Sequence, residues 1–420
     1  MNIKITSSPL YGVIRAIPSK SDAHRALICA SLCHEPTQIV MSGELSEDIS
    51  ATINCLRSLG AEIIEDSGGV TVHPVGGRTN HSAALDCAES GSTLRFMLPV
   101  AAVLGGSFTV TGRGRLPQRP VDTLAALLNS HGCTVTGNAL PLRCDGKLTG
   151  GSFPLEGNVS SQYVSGLLFA LPLLDTDSEI RLLSALESSA YADMTVNTLA
   201  RFGVEVTKTA GGFYVKGNQT YRSPGAYEVE GDWSNTAFWL CAAAIGGKIS
   251  CAGLNMRSSQ PDREIVNILK RTGASALETS DGLTVTCGKL QPFDMDASQC
   301  PDLVPAAAVL MTAARGRSLI KNAGRLRLKE SDRLSAVTSA LNAVGANIRE
   351  RADSLEIDGT GRLTGGTTDS FGDHRIAMAL AVASLACESE LTVTNAQAVT
   401  KSYPAFFEDF KLLGGKFDVV

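Results

Sequence analysis

Apolar runs rich in small residues recur along this chain about every 70 residues: Ala26–Leu32, Leu94–Leu104, Val164–Leu174, Ala237–Ile245, Leu303–Ala314 and Ile376–Leu385. Arg25, Arg95, Ser165, Asn235, Pro305 and Arg375 stand at their heads on one beat. A second series keeps that beat. Gly60, Gly132, Gly203, Gly273, Gly345 and Gly414 end amphipathic segments, as a helix C′ residue does. A short strand-type pattern follows each glycine, such as Ala61-Glu62-Ile63-Ile64 or Val204-Glu205-Val206. Two independent series at one period predict six copies of one unit, each reading helix, strand, helix and then paired strands. The class is α/β, with mixed sheets and the apolar helices packed inside.

Ahead of the first copy, Asn2–Thr6 and Gly12–Ile17 read as strands. Ser46–Leu59 reads as a helix with Ile49, Ile53, Leu56 and Leu59 on one face. Ile63–Ile64 and Val70–His73 read as a hairpin across Asp66-Ser67-Gly68-Gly69. Six copies divide into two domains of three. The turn-rich Tyr221–Ala226 marks the boundary, giving residues 19–226 as the first domain and 1–18 with 227–420 as the second. The leftover N-terminal strands make the connection two-stranded. The helix starts at Ser21, Gly91, Ser161, Ser234, Asp302 and Asp373 are expected at the cleft between the domains, a favoured place for a ligand.

Composition narrows the function. The 420 residues carry a net charge of −5, so no overall field attracts nucleic acid or an acidic membrane. The longest apolar stretch, Tyr163–Leu174, is too short to span a bilayer. The N-terminus lacks a secretory pattern, and the 11 cysteines include no Cys-x-x-Cys pair. That usage predicts reduced core thiols in a cytoplasmic protein. Cys29, Cys33 and His34 are the nearest approach to a metal cluster, and core packing accounts for them. Neither a phosphate-binding Gly-x-x-x-x-Gly-Lys loop nor a Gly-x-Gly-x-x-Gly fingerprint is present, so no nucleotide or redox cofactor is expected.

Cations gather at the predicted helix starts. Pro18-Ser19-Lys20-Ser21 opens the first run, where free N–H groups and the helix dipole favour an anion and Lys20 and Arg25 reinforce it. Arg95, Arg119 and Arg375 hold comparable places. Lys329-Glu330-Ser331-Asp332-Arg333, Asp373-His374-Arg375 and Lys401 add further charge. An acidic protein with cations at equivalent points of its repeat is suited to a multiply charged anion. Asp302 and Glu330 are the carboxylates placed among these cations, an environment for acid–base work. Asp48 reads as a helix N-terminal acid, and His374 as either catalytic or a helix-ordering residue.

Together these segments resemble the EPSP synthase family, the 3-phosphoshikimate 1-carboxyvinyltransferases. The matching motifs run in order from end to end: Ser19-Lys20-Ser21 to Arg25, Ser90-Gly91-Ser92-Thr93-Leu94-Arg95, Gln118-Arg119-Pro120, Ser160-Ser161-Gln162, Leu328 to Arg333, Asp373-His374-Arg375 and Lys401. The resemblance implies the enolpyruvyl transferase fold, an inside-out α/β barrel type of two domains that close on substrate. It implies transfer of the enolpyruvyl group of phosphoenolpyruvate to the 5-hydroxyl of shikimate 3-phosphate through a tetrahedral intermediate, without metal or organic cofactor, by a cytoplasmic monomer. Carried over, Lys20, Ser21, Arg25, Ser160, Ser161, Gln162, Ser188, Tyr191, Asp302 and Lys329 hold shikimate 3-phosphate. Lys20, Gly91, Arg119, Gln162, Arg333, Arg375 and Lys401 hold phosphoenolpyruvate. Asp302 accepts a proton, Glu330 donates one, and Lys20 assists. Retention of Gly91 implies inhibition by glyphosate, while Glu89-Ser90 and Arg325 replace residues commoner in the family. The sister transferase acting on UDP-N-acetylglucosamine usually carries a Cys or Asp in the loop corresponding to Gly112–Gln118, and neither is there.

Overall fold

A computed structural model describes residues 1–76, 81–137 and 139–420. The chain divides into two compact units: Lys20–Val229, the first unit, and Met1–Ser19 with Glu230–Val420, the second. Each has its own apolar core.

Helices come in two kinds. In the first unit, α1 (Lys20–Ser31), α3 (Gly91–Leu104) and α5 (Ser161–Ala170) are buried almost throughout, whereas α2 (Glu47–Ser58), α4 (Asp122–Asn129) and α6 (Ser189–Arg201) bury one face. In the second unit, α7 (Trp233–Gly246), α9 (Val304–Ala313) and α11 (His374–Ala383) are the buried kind. There α8 (Ile265–Thr272), α10 (Arg333–Asn342) and α12 (Phe406–Leu412) are the amphipathic kind. The buried helices are those of the apolar runs. With no polar stripe to offer water, they are stable only when covered on every side.

Small residues let these helices approach closely. A Cβ on Gly166 of α5 would stand 2.2 Å from the carbonyl oxygen of Arg95 on α3, so the two helices meet backbone to backbone. All six glycines of the second series have positive φ, from 75° at Gly203 to 111° at Gly60, which ends the amphipathic helices in the left-handed turn that glycine adopts without strain.

Among the described residues, six four-stranded sheets share one topology. In the first unit, Thr37–Val40 pairs in parallel with Ala226–Glu228 and antiparallel with Gly69–His73, which pairs antiparallel with Glu62–Asp66. Every other sheet repeats this order of one parallel and two antiparallel ladders. The parallel edge strand is the part of the repeat that periodicity did not reveal.

Two edge strands belong to one unit while leading into a helix of the other. Leu10–Arg15 precedes α1 of the first unit in the chain, yet it pairs with Gly247–Ala252 of the second. Ala226–Glu228 precedes α7 of the second unit, yet it pairs with Thr37–Val40 of the first. That pairing moves the division from the expected 226/227 to 229/230. Ile3–Thr6 completes the last sheet between Leu391–Thr394 and Lys416–Val419. The second strand starts at Leu10 rather than Gly12, because its register runs from Leu10 opposite Gly247 to Arg15 opposite Ala252. The helix predicted for 46–59 and the hairpin after it are present as Glu47–Ser58, capped by Ser46, and as Glu62–Asp66 with Gly69–His73.

Candidate active site

The chemistry-bearing residues fall into two clusters, one per unit, each at the N-terminal ends of its buried helices.

In the first unit, Lys20 begins α1 and places its Nζ 2.6 Å from Oδ2 of Asp48 in the first turn of α2. Asp48 is therefore more than a dipole-complementing acid, since it holds the lysine at the helix head. One turn on, Arg25 is buried; its Nε donates to Thr195 Oγ1 at 2.9 Å and its Nη2 to the Tyr191 carbonyl at 2.8 Å. Its guanidinium lies 5.3 Å from the Phe96 ring centroid, a cation–π contact. Burial lowers its pKa to about 10, which still leaves it charged at neutral pH. Tyr191 is thus tied to Arg25 through α6, which follows Ser188 in left-handed backbone with φ 53°. Ser21 sits in the same first turn of α1.

A buried hydroxyl chain locks these helix heads together. His24 Nδ1 meets Thr52 Oγ1 at 2.8 Å, Thr52 Oγ1 meets Thr93 Oγ1 at 2.8 Å, and Thr93 donates to Ser90 Oγ at 2.8 Å. Burial first, and then Lys20 and Arg25, push the His24 pKa well below its usual value, so the ring is a neutral strut.

Gly91 is the first residue of α3, behind the cap Ser90. The Arg119 guanidinium packs directly on it: a Cβ there would lie 2.5 Å from Arg119 Cζ, Nη1 and Nη2. Sequence position groups Arg95 with the anion-facing cations, but the fold uses it for internal contacts. Its Nη1 donates to Gln162 Oε1 at 2.9 Å and its Nη2 to the Pro120 carbonyl at 2.9 Å, where Tyr163 Oη also donates at 2.7 Å. Arg95 and Tyr163 thereby fix the residue next to Arg119. Gln162 Nε2 donates to Ser92 Oγ at 2.9 Å, and Ser160 caps α5 ahead of Ser161 by accepting from Gln162 N. Glu89 stands against Gly114, where a Cβ would meet its carboxyl carbon at 2.4 Å, so it packs on the loop that delivers Arg119.

In the second unit, Asp302 sits in the helical turn before α9 amid three cations. Arg333 Nη1 donates to its Oδ1 at 3.0 Å, Arg375 Nη2 to its Oδ2 at 3.2 Å, and Lys329 Nζ lies 3.4 Å from Oδ1. Burial alone would raise the Asp302 pKa, but Arg375, Lys329 and Arg333 outweigh it and hold the carboxyl far below the ordinary range. Glu330 pairs with Arg333 Nη2. Arg333 is buried and held from behind by Asp373, which accepts from its Nε at 2.9 Å and from Ser331 Oγ at 2.9 Å while capping α11. His374 is buried beside Asp373, with Nδ1 3.9 Å from its Oδ1. Lys401 Nζ donates to the Gly372 carbonyl at 2.8 Å.

Two further arginines position the acidic loop. Arg327 donates from Nη1 to Asp332 Oδ2 at 3.0 Å and to Glu350 at 2.6 Å, and from Nη2 to the Arg351 carbonyl at 2.7 Å. Arg325 Nη2 donates to the Ser298 carbonyl at 2.8 Å, just before Asp302. The roles of Asp48 and Thr195 do not show in the sequence because Lys20 and Arg25 lie 28 and 170 positions from them, and Arg327 reaches past the following helix to Glu350 and Arg351. For Asp48 the only local hint is its place two residues after the cap Ser46.

Among the described residues, no group of three or more His, Cys, Asp or Glu side chains is arranged to hold a metal ion, and no helix is long and apolar enough to cross a membrane. All 11 cysteines are free thiols, and all but Cys287 are buried. Each cluster offers fixed cations in low-dielectric surroundings, and in the second the carboxyl groups of Asp302, Glu330 and Asp373 stand among them. That arrangement has the chemistry to bind polyanions and to move protons.

Comparison with known proteins bears on which polyanions. The family model described as EPSP synthase (3-phosphoshikimate 1-carboxyvinyltransferase) matches residues 5–410. The 3-phosphoshikimate 1-carboxyvinyltransferase of Clostridium kluyveri is 45% identical, with 99% of this chain and 98% of that protein covered. Its counterpart in Clostridioides difficile is 43% identical at the same coverage. Among solved structures, an EPSP synthase of Acinetobacter baumannii superposes with a TM-score of 0.83 at 24% identity over 100% of both chains. The enolpyruvyl transferase NikO of Streptomyces tendae gives 0.81 at 16% identity, covering 99% of this chain and 98% of its own. At those identities the two superpositions speak to the fold.

Proposed function

The chain belongs to the EPSP synthase family and transfers the enolpyruvyl group of phosphoenolpyruvate to the 5-hydroxyl of shikimate 3-phosphate in the shikimate pathway; from that premise we propose which residues carry the reaction. Lys20, Ser21, Arg25, Ser160, Ser161, Gln162, Ser188 and Tyr191 bind shikimate 3-phosphate together with Asp302 and Lys329. Lys20, Gly91, Arg119, Gln162, Arg333, Arg375 and Lys401 bind phosphoenolpyruvate. The enzyme works as a monomer in the cytoplasm.

The observation that carries this reading is the Asp302 carboxylate ringed by Lys329, Arg333 and Arg375, with Glu330 on the same arginine. Three cations make Asp302 a very weak base while the site is empty. Substrate phosphate and carboxylate groups that draw those cations to themselves return basicity to Asp302. Asp302 then takes the proton from the 5-hydroxyl as its oxygen bonds to C2 of phosphoenolpyruvate, and Glu330 supplies a proton to C3, with Lys20 assisting. Elimination breaks the C2–O bond to phosphate, returns the C3 proton to the Glu330 carboxylate, and passes the 5-hydroxyl proton from Asp302 to the departing phosphate. The fixed guanidinium groups need no reorganisation as charge shifts toward the leaving phosphate.

The test is phosphate release from purified protein. We expect release to need both substrates and to fall by roughly 10²–10⁴ in Asp302→Ala, the usual worth of a general base. Release supported by UDP-N-acetylglucosamine instead would transfer the activity to the sister reaction. Full activity in Asp302→Ala would show that another group takes the proton from the 5-hydroxyl.

A further inference from the structure

Arg25 is buried at the head of α1, and the groups that enclose it leave only part of its guanidinium for a ligand. Helix α6 meets one edge of that group with two acceptors. Nε donates to Thr195 Oγ1 at 2.9 Å, and Nη2 donates to the Tyr191 carbonyl at 2.8 Å. Tyr191 and Thr195 are four residues apart, so they lie on one face of α6, a single turn from each other. Nη1 donates to the Ser21 carbonyl at 2.5 Å, one turn back in α1. Three of the five N–H donors of a guanidinium are thus occupied inside the protein. One remains on each terminal nitrogen, the pair with which arginine takes an oxyanion.

Two of the three acceptors are backbone carbonyls, which any sequence presents. Thr195 alone is a side chain. It is fully buried, as is Ser165 of α5 behind it. Its Oγ1 stands 2.8 Å from Ser165 Oγ and 3.1 Å from the Tyr191 carbonyl, so its hydroxyl is fixed by two helices. Giving its one proton to either neighbour, it keeps a lone pair for Arg25 Nε.

The guanidinium is planar, so the direction of Nε–H fixes where both terminal nitrogens point. Without an acceptor at Thr195, a charged N–H faces apolar atoms in a buried site. That state is costly, and the plane turns to find another oxygen. We propose that Thr195, backed by Ser165, is a positioning residue for shikimate 3-phosphate: it takes the Arg25 Nε–H and so aims the two remaining N–H groups at an oxyanion of that substrate. This role rests on the assignment of Arg25 to shikimate 3-phosphate.

The experiment measures phosphate release, with each substrate varied in turn, for Thr195→Val, Thr195→Ser, Arg25→Ala and the double variant Arg25→Ala/Thr195→Val. Where turnover is too slow to follow, the Kd for shikimate 3-phosphate from titration calorimetry replaces KM. Thr195→Val exchanges the hydroxyl for a methyl group of similar size. It is expected to raise KM for shikimate 3-phosphate roughly 10- to 100-fold, the size of one hydrogen bond to a charged group, with much smaller changes in kcat and in KM for phosphoenolpyruvate. Thr195→Ser keeps the acceptor and should keep the wild-type KM. In the Arg25→Ala background, Thr195→Val should add almost nothing, because the hydroxyl acts through that arginine. An unchanged KM for shikimate 3-phosphate in Thr195→Val overturns the proposal. So does a rise that Thr195→Ser shares, or one that persists without Arg25, since either is the mark of packing. Should Thr195→Val fail to fold, Thr195→Ala is judged by the same outcomes. An unchanged KM for shikimate 3-phosphate in Arg25→Ala removes the parent assignment and this one with it. A large rise there beside an unchanged Thr195→Val removes this one alone.

Discussion

Gly91→Ala tests the first cluster most sharply, because one methyl group meets one functional side chain. Gly91 opens α3 without a positive φ, so alanine brings no conformational strain. The new Cβ would lie 2.5 Å from three atoms of the Arg119 guanidinium, whereas ordinary contact begins at 3.4 Å. The guanidinium must retreat by about 0.9 Å (the gap between those two distances), and as the far end of a flexible side chain it can do so cheaply. The cost falls on what Arg119 binds. Displacing a cation by that much from a carboxylate or phosphate forfeits a large part of a charge-assisted hydrogen bond, about 1–2 kcal/mol, or roughly 5- to 30-fold in KM for phosphoenolpyruvate. KM for shikimate 3-phosphate should change less than threefold, and the melting temperature should hold or rise. Steady-state phosphate release with each substrate varied in turn, together with a thermal melt, reads all three quantities. An unchanged KM for phosphoenolpyruvate would refute the placement of Arg119 over that substrate. A fall of several degrees in melting temperature would show that Arg119 cannot move and that the contact is structural.

Other perturbations probe the remaining contacts. Arg327→Ala removes the anchor of the Lys329–Asp332 loop without touching the assigned binding residues; kcat is expected to drop roughly 10- to 100-fold, as misplacement by about an ångström does, and unchanged kinetics would remove its positioning role. Asp48→Ala frees the Lys20 ammonium at the head of α1, so we expect KM for both substrates to rise severalfold while Asp48→Asn recovers part of the loss; equal effects of the two variants would argue against a charge-based hold. Stability should carry the mark of Asp262, which is buried in the short helical turn Pro261–Glu264. Its folded pKa of about 6 lies above the ordinary 3.8, so its contribution is fully present below about pH 3.8 and is lost as pH rises through about 6, at most about 3 kcal/mol. Denaturant titrations should therefore find Asp262→Asn more stable than the wild type above about pH 6 and level with it near pH 4, and the opposite order would contradict the burial argument. Glyphosate should inhibit phosphate release competitively with phosphoenolpyruvate, and an inhibition curve flat into the millimolar range would show that Glu89-Ser90 closes the site to it.

Much of this architecture was legible in the chain itself because its causes are local. An apolar run without a polar stripe has to be buried wherever it occurs, and a glycine after an amphipathic segment has to turn, so the two series of six announced the repeat. Lys20, Arg119, Asp302, Glu330, Arg333, Arg375 and Lys401 were picked out by motif. Long-range contacts decided the rest. The parallel edge strands carry no pattern of their own, since three residues such as Ala226–Glu228 gain their identity from pairing with Thr37–Val40 nearly 190 positions earlier. Nothing in the run Leu94-Arg95-Phe96 tells a substrate-facing arginine from one consumed by Gln162 and Pro120. Nothing local reveals that Asp48 holds Lys20 or that Ser234 donates to the buried Asp262. Periodicity is written by each residue's own hydrophobicity and backbone preference, so the sequence alone determined it. The charge and reach of an ionisable side chain depend on which opposite charges and hydroxyls surround it in a low-dielectric interior, and only the folded chain assembles those.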